Sequence, residues 1–497
     1  MRYIGKQLND LPGKVTAVAS GTLADGSAVI VNANGTVSVI VGQNGMGSDV
    51  VFETGATSAI SAVFQANTNQ VIIFYRDQGN SNYGTAIAGA VNASDNSIAF
   101  GTAHVFASHY IYYSGSTFDT NSNRAVVAYN NHASGSRSVR AMVGHISSGT
   151  NFTFGTATQL SSSGGSHSKA VFDSTNNRVV LFWQDGSTGY GKAVVGNITA
   201  SNNSIALGSV VQFSAGNFLW QQGNTGTTFD TNAGKVVISY KDSNQSPNRG
   251  VVNVGTVTAS NNSISFGSPV VIDSSHIADY SDCLFIPTIN KVVFAFTSLS
   301  DSAKGKAVVG TVNGTSMDFG TIAVWGDTDP SNYNSTLTFN SDTNIITLFN
   351  QSAASDSSVS IKGGEISVSG TNLTFGTRSV FRNYLGVDIS TVFDNNSNRS
   401  VLFTQNTDSN KGAAIVFQNT TVANLTAENY IGISNGVYAS GADATIQVKG
   451  SVDDAQSSLT PGQSYFIQAD GTLGTTAGNP SVFAGTAVAS TKLIVKG

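Results

Sequence analysis

Seven phenylalanines set the frame of this chain. Phe64, Phe118, Phe172, Phe229, Phe285, Phe339 and Phe393 are separated by 54, 54, 57, 56, 54 and 54 residues. A period held over seven copies restricts the fold to architectures that stack one supersecondary unit. Each copy also keeps an internal order. Asn69, Asn123, Asn177, Gly234, Asn290, Asn344 and Asn398 stand five residues after the Phe. Asn and Gly tolerate a left-handed backbone, so the spacing predicts a tight hairpin there. Asp119, Asp173, Asp230, Asn340 and Asp394 directly follow the Phe, where a side-chain oxygen can accept from N–H groups of the turn. That is turn chemistry rather than catalysis.

A nearly continuous apolar run follows each turn, as in VIIFY (71–75), VVLFW (179–183), VVISY (236–240) and VVFAF (292–296). Apolar residues on both faces indicate a strand covered on both sides. KAVVGNI (192–198) and KAVVGTV (306–312) read as third strands. A fourth carries Phe-Gly at Phe100, Phe154, Phe266, Phe319 and Phe375, with Leu207-Gly208 in the remaining copy. Four short antiparallel strands per repeat predict an all-β, seven-bladed β-propeller flanked by small β modules. The seventh copy lacks a fourth strand, and SDVVFETG (48–55) matches SPVVIDSS (268–275). The expected domains are therefore an N-terminal β attachment segment, 1–47, a propeller, 48–423, closed by strand 48–55 on the last blade, and a C-terminal β module, 424–497. An eighth blade is the alternative if residues 15–42 form an extra sheet.

Composition excludes several functions. Only 11% of residues are charged and the net charge is −5, so the clustered Lys and Arg of a nucleic-acid groove are missing. The single Cys283, in YSDCLFI, rules out an intrachain disulfide framework and reads as a small buried hydrophobe. The six His residues (104, 109, 132, 145, 167 and 276) lack metal-ligand pairing, and no Gly-rich loop opens a helix, so neither metal nor cofactor is expected. No apolar run approaches the roughly 20 residues of a spanning helix. The opening MRYIGKQLNDLPGKV lacks a signal-type apolar core. The expectation is a protein without its own export signal or membrane insertion that reaches the outside as part of a virion assembled in the host cytoplasm.

The two ends echo each other. ASGTLADGSAVIVNANGTVSVI (19–40) and SSLTPGQSYFIQADGTLGTT (457–476) share L-x-x-G, an apolar strand and a Gly-Thr turn. The opening MRYIGKQ with VASGTLADGSAVIVNANGTVSV resembles the start of marine-phage virion proteins. The closing AENYIGISNGVYASGADATIQVKG through TAVASTKLIVKG is similar to the C-terminal segment of cyanophage-like structural and tail-fibre proteins. The resemblance covers roughly the first 40 and last 70 residues. It implies a virion protein held by other virion proteins through its ends, as a homo-oligomer, and it brings no catalytic motif.

Ligand candidates come from the loops joining one repeat to the next, which vary while the hairpin turns do not. Those loops contain SHYIYYSGS (108–116), AGNFLWQQGN (215–224), SSHIADYSD (274–282), DPSNYNS (329–335) and RNYLGVD (382–388). Aromatic rings pack the C–H face of a sugar while amides and carboxylates bond its hydroxyls. Trp220, Phe218, Tyr110, Tyr112, Tyr113, Tyr280, Tyr333 and Tyr384 are the aromatic candidates, with Asp185 and Asp242, from the loops between second and third strands expected on the same face (QDGSTGYG, 184–191, and KDSNQSPNRG, 241–250), as polar ones. Asp77, Asp185 and Asp242 share one position, thirteen residues after the Phe, which makes a carboxylate-pair hydrolase conceivable. Asn131, Ser298, Ser352 and Asn406 occupy that position elsewhere, so a loop-starting role is preferred. The leading reading is a non-enzymatic tail fibre or appendage that contacts host-surface glycan. A non-binding capsid decoration or connector comes second, and a polysaccharide-degrading enzyme third.

Overall fold

The structure is a computed structural model that describes residues 13–32, 34–40, 46–93, 95–132, 137–219, 225–245, 249–326, 332–353, 359–376, 379–384, 386–418, 425–468, 471–478 and 480–496. The chain is all-β, and among the described residues there is no helix. It divides into two compact units, Met46–Phe417 and a second made of Met1–Gly45 with Gln418–Gly497.

Within the larger unit each repeat folds back on itself in antiparallel order. In the third, Gly165–Asp173 pairs with Arg178–Asp185, then Tyr190–Thr199, then Ser204–Leu207. Sheets of four or five strands recur, and long strands join some of them. His104–Asp119, for example, ends one repeat and begins the next. Val50–Gln65 does the same at the ends of the unit. Its first half pairs with Lys411–Phe417, and its second half with Gln70–Asp77.

The hairpin chemistry is as the repeat demands. Asn69, Asn123, Asn177, Gly234, Asn290, Asn344 and Asn398 all have φ between 52° and 63°. The preceding carboxylate or amide holds the turn in five copies. Asp119 Oδ1 accepts from the N–H groups of Asn121 and Ser122, and Asp173, Asp230, Asn340 and Asp394 repeat the pattern.

Second strands are packed on both faces. Val71, Ile73 and Tyr75 join one buried cluster while Ile72 and Phe74 join another. Val179, Leu181 and Trp183 likewise separate from Val180 and Phe182. Each sheet is thus the wall between two cores, and burying both faces of such strands is the main stabilising term.

Neighbouring repeats are fastened at the turn end in two ways. The Gly of Phe-Gly, or of Leu207-Gly208, sits under the next repeat's turn: a Cβ on Gly155, Gly208 or Gly267 would lie within 2.0 Å of the carbonyl oxygen of Asn203, Asn262 or Thr315. The Arg after the turn Asn reaches forward as well. Arg178 donates to Asn262 Oδ1 at 2.6 Å and to the Ala259 carbonyl at 2.9 Å. Arg124 treats Asn203 and Ala200 alike, and Arg399, in the last repeat, donates to Asn96 and Ala93 in the first. First strands stand beside one another in chain order: Val50–Gln65, His104–Asp119, Gly165–Asp173, Gly226–Asp230, Ala278–Ile286, Asn332–Asn340 and Gly386–Asp394, the last packing back on Val50–Gln65.

The smaller unit departs from the sequence reading, which keeps 1–47 and 424–497 apart. Lys14–Val18, Asp443–Gln447, Tyr430–Ser434, Ala28–Val31 and Val37–Val39 form one five-stranded sheet. A second contains Val452–Asp453, Lys492–Val495, Val482–Ala489, Ser464–Ile467 and Leu473–Gly474. Ile30, Ile40, Leu425, Tyr430, Ile467 and Leu493 lie in one shared core. The reason is burial: a strand such as AVIV (28–31) needs a partner sheet, and the other end of the chain supplies it. This pairing also removes the basis for an eighth blade, because the described strands of 15–42 belong to this sheet.

Candidate functional site

A recurrent bulge builds the site. In the second repeat Ile111 pairs with Asn131 and Ser114 with Tyr129, so Tyr112 and Tyr113 together oppose the single residue Asn130. Extra residues of this kind leave the ladder and re-aim their side chains. Corresponding register shifts fall between Ser58 and Ser61, Ser166 and Lys169, Asp279 and Asp282, Tyr333 and Thr336, and Val387 and Ser390. Ala59, His167, Asn334 and Asp388, each five residues before its Phe, sit in these bulges at φ of 49° to 52°. Non-glycine residues enter that region at a cost and mark positions over-determined by their surroundings.

The bulges bring aromatic groups from neighbouring repeats together. Tyr112 is exposed, and its ring lies 4.7 Å from that of Tyr113, 6.0 Å from Tyr110 and 5.5 Å from His132. Tyr113 packs against His167 of the third repeat at 4.2 Å. Arg76, at the end of a first-repeat strand, places its guanidinium 4.9 Å above Tyr112 and 5.4 Å above Tyr110. It donates to Ser58 Oγ at 2.7 Å and to the Tyr110 hydroxyl at 3.2 Å. The guanidinium is thereby fixed as part of an aromatic platform, by cation–π attraction as well as by hydrogen bonds.

Next to this platform is a set of charged groups that the sequence reading did not single out. Lys169, Asp282 and Asp388 are half-buried on first strands of the third, fifth and seventh repeats. Asp388 Oδ2 accepts from the Ala59 N–H at 2.7 Å. Asp282 accepts from Cys283 N–H and Leu337 N–H, both at 2.9 Å. Burial raises the pKa of both carboxyls, against the opposing pull of these N–H groups and of Lys169. Burial also lowers the Lys169 ammonium, with Asp282 and Asp388 pulling the other way. His167 is held down at about 3 by burial and by Lys169, so its ring is neutral. Burial pushes Tyr113 up to about 12. The alignment signal was available: three residues before the Phe the copies read Ser61, Gly115, Lys169, Gly226, Asp282, Thr336 and Ser390, with charge in only two.

Other candidates separate from this cluster. Tyr384 is buried and its hydroxyl donates to Asp49 at 2.7 Å; it braces the chain instead of facing a ligand. Asp185 is occupied by its own loop. Its Oδ1 accepts from the N–H and hydroxyl groups of Ser187 and Thr188, and Oδ2 from Ser163 Oγ. Burial pulls this carboxyl upward, but bonds from Ser187, Ser163 and Thr188 outweigh it and hold it at about 2. Asp242 is fully buried, with Oδ1 accepting from Asn244 N–H at 2.8 Å, and Asp77 makes the equivalent bond to Asn80 N–H at 3.0 Å. The shared Asp position is thus a loop-starting one. Trp220 lies outside the described residues, as do the side chains of Phe218, Tyr280 and Tyr333. Cys283 is buried, and burial raises its thiol. Among the described residues no group of His, Cys, Asp and Glu is arranged to hold a metal, and no helix is long and apolar enough to cross a membrane.

No protein-family model matches the chain, and no curated protein matches it. Solved structures do align with it. A protein of unknown function from Dyadobacter fermentans is 11% identical over 75% of this chain and 98% of its own, with a TM-score of 0.45. A Lactobacillus plantarum protein is 13% identical over 69% of this chain and 94% of its own, with a TM-score of 0.47. The NanB sialidase from Streptococcus pneumoniae is 9% identical over 76% of this chain and 71% of its own, with a TM-score of 0.43. Likenesses at this level assign no activity.

Proposed function

We propose that residues 46–417 form a closed seven-bladed β-propeller and that the chain is a phage virion protein, a tail fibre or appendage, whose loop face binds host-surface glycan without catalysis. The ring reading is supported by the order of the first strands and by the links from last repeat to first: the strand pairing of Lys411–Phe417, the Arg399 bonds, and Gly47, whose Cβ would lie 1.9 Å from the Asn96 oxygen. Virion origin rests on the resemblance of the two ends. Their union in one unit supports a single attachment module to other virion proteins, in place of two.

The glycan reading is carried by one observation, the platform of Tyr110, Tyr112, Tyr113 and His132 fixed by Arg76. A flat apolar surface next to donors and acceptors is what a pyranose requires. The test is binding of the purified full chain to an array of microbial glycans, with Tyr112→Ala alongside. Saturable binding that Tyr112→Ala reduces at least tenfold is expected; binding that survives the change moves recognition off this face. The second reading, a non-binding decoration or connector, is favoured by Tyr384, which proves to be a brace. Absence of any binding on the array would select it.

A further inference from the structure

We infer that the mouth of the ring lined by Arg76, Tyr113, His167, Lys169, Asp282 and Asp388 receives one uncharged sugar residue at the end of a glycan chain. The inference rests on the glycan reading above and names the part of the glycan that enters. The six residues come from five different repeats; five of them stand at two adjacent levels of the first strands, five and three residues before the Phe, and Arg76 reaches in from the end of the second strand of the first repeat. At the second level, glycine marks where the next strand closes in: a Cβ on Gly115 would lie 2.4 Å from the Ser168 oxygen, and on Gly226 2.5 Å from Cys283 N. Lys169 and Asp282 place charge at the level where other copies have a hydroxyl or nothing. His167 and Asp388 take their direction from the left-handed bulge that the repeats share with Ala59 and Asn334.

The chemistry of the lining selects the ligand. No hydrogen bond or ion pair reaches the Lys169 ammonium among the described residues, although Asp282 and Asp388 act on it electrostatically. Asp388 has Oδ1 left over once Oδ2 has accepted from Ala59. The site therefore offers donors and acceptors together, and its formal charges, two positive and two negative, cancel. An anionic sugar would bring an uncompensated charge into a place where burial already works against the charged forms of Lys169, Asp282 and Asp388. A hydroxyl both donates and accepts, so adjacent ring hydroxyls can serve the ammonium and a carboxylate at once. The Tyr113 and His167 rings, 4.2 Å apart and both kept neutral, supply the wall for the C–H face. Because first strands surround these levels, a chain enters by its end and not by its middle.

The test uses the full protein and matched microbial oligosaccharides that end in a hexose, in the corresponding uronic acid, or in a hexose with methylated hydroxyls. Lys169→Met, Lys169→Gln and Asp388→Asn are compared with wild type, melting temperature being recorded for each. The expected result is preference for the free hexose end, at least tenfold loss on methylation, and at least tenfold loss in a Lys169 variant that melts within a few degrees of wild type. Binding that Tyr112→Ala abolishes but Lys169 and Asp388 variants leave unchanged overturns the inference and keeps the glycan reading. Preference for the uronic end overturns the neutral assignment. If wild type binds none of the probes, both fall.

Discussion

The Tyr384 hydroxyl donates to the Asp49 carboxylate at 2.7 Å, across 335 residues of chain. Arg382 bonds the same carboxylate and also reaches the Gly47 carbonyl at 2.7 Å. A loop between the sixth and seventh repeats therefore grips the strand that completes the seventh. Asp49→Ala leaves two donors unmatched and should cost about 2 kcal/mol, whereas Tyr384→Phe keeps the ring in place and should cost about 1 kcal/mol. Guanidinium denaturation of the full chain measures both. Equal stability of Asp49→Ala and wild type would remove the grip from the account of closure.

Gly47 takes the place of the Phe-Gly glycine in the seventh repeat, beneath Asn96 of the first. At Gly376, the corresponding residue of the sixth repeat, a Cβ meets nothing among the described residues closer than 3.7 Å. Gly47→Ala should thus destabilise by about 1–3 kcal/mol or more, in the range of overpacking, and Gly376→Ala by less than about 0.5 kcal/mol. Comparable losses in the two variants, seen by thermal melting, would contradict the contact between last and first repeats.

These glycines show what the sequence made legible. Period, hairpin Asn and turn Asp are local features with one backbone solution, and Asn123 with Asp119 could be read without knowing any neighbour. Arg124, Arg178 and Arg399 follow the turn Asn in three copies, and their partners are in the next repeat, so their role emerges only in three dimensions. The same holds for the site. Tyr110, Tyr112 and Tyr113 stood out as a run, whereas Lys169, Asp282 and Asp388 are single charges over 100 residues apart that the arrangement of first strands brings into electrostatic reach. Tyr384 misled because a loop aromatic can turn inward, and only the Asp49 contact reveals that it does.

Asp185 provides a check on the division between loop chemistry and ligand chemistry. Asp185→Asn retains an acceptor for the Ser187 and Thr188 N–H groups, so array binding should be unchanged. The carboxyl at about 2 lies below its ordinary value of 3.8, so it contributes stability that is present above pH 4 and lost as pH falls through 2. The melting-temperature advantage of wild type over Asp185→Asn should shrink across that window. Loss of glycan binding in the variant would instead return Asp185 to the ligand site.

His167 changes stability over a higher pH window. The residue is 8% exposed and its ring is held at about 3, against 6.5 in the unfolded chain. Between these values the unfolded state takes up a proton that the folded state refuses, so stability falls as pH drops below 6.5 and continues to fall toward 3. At pH 5 the loss relative to pH 7.5 is about 2 kcal/mol by this group alone. Asp282 and Asp388 act in the other sense, because burial raises them and protonation relieves their desolvation. The variant His167→Gln keeps these carboxyls and removes the imidazole, so the difference between the two stability–pH curves isolates it. Wild type should lose ground to His167→Gln steadily from pH 6.5 downward. Parallel curves would mean that the imidazole is hydrated, and the packed Tyr113–His167 wall would not exist in solution.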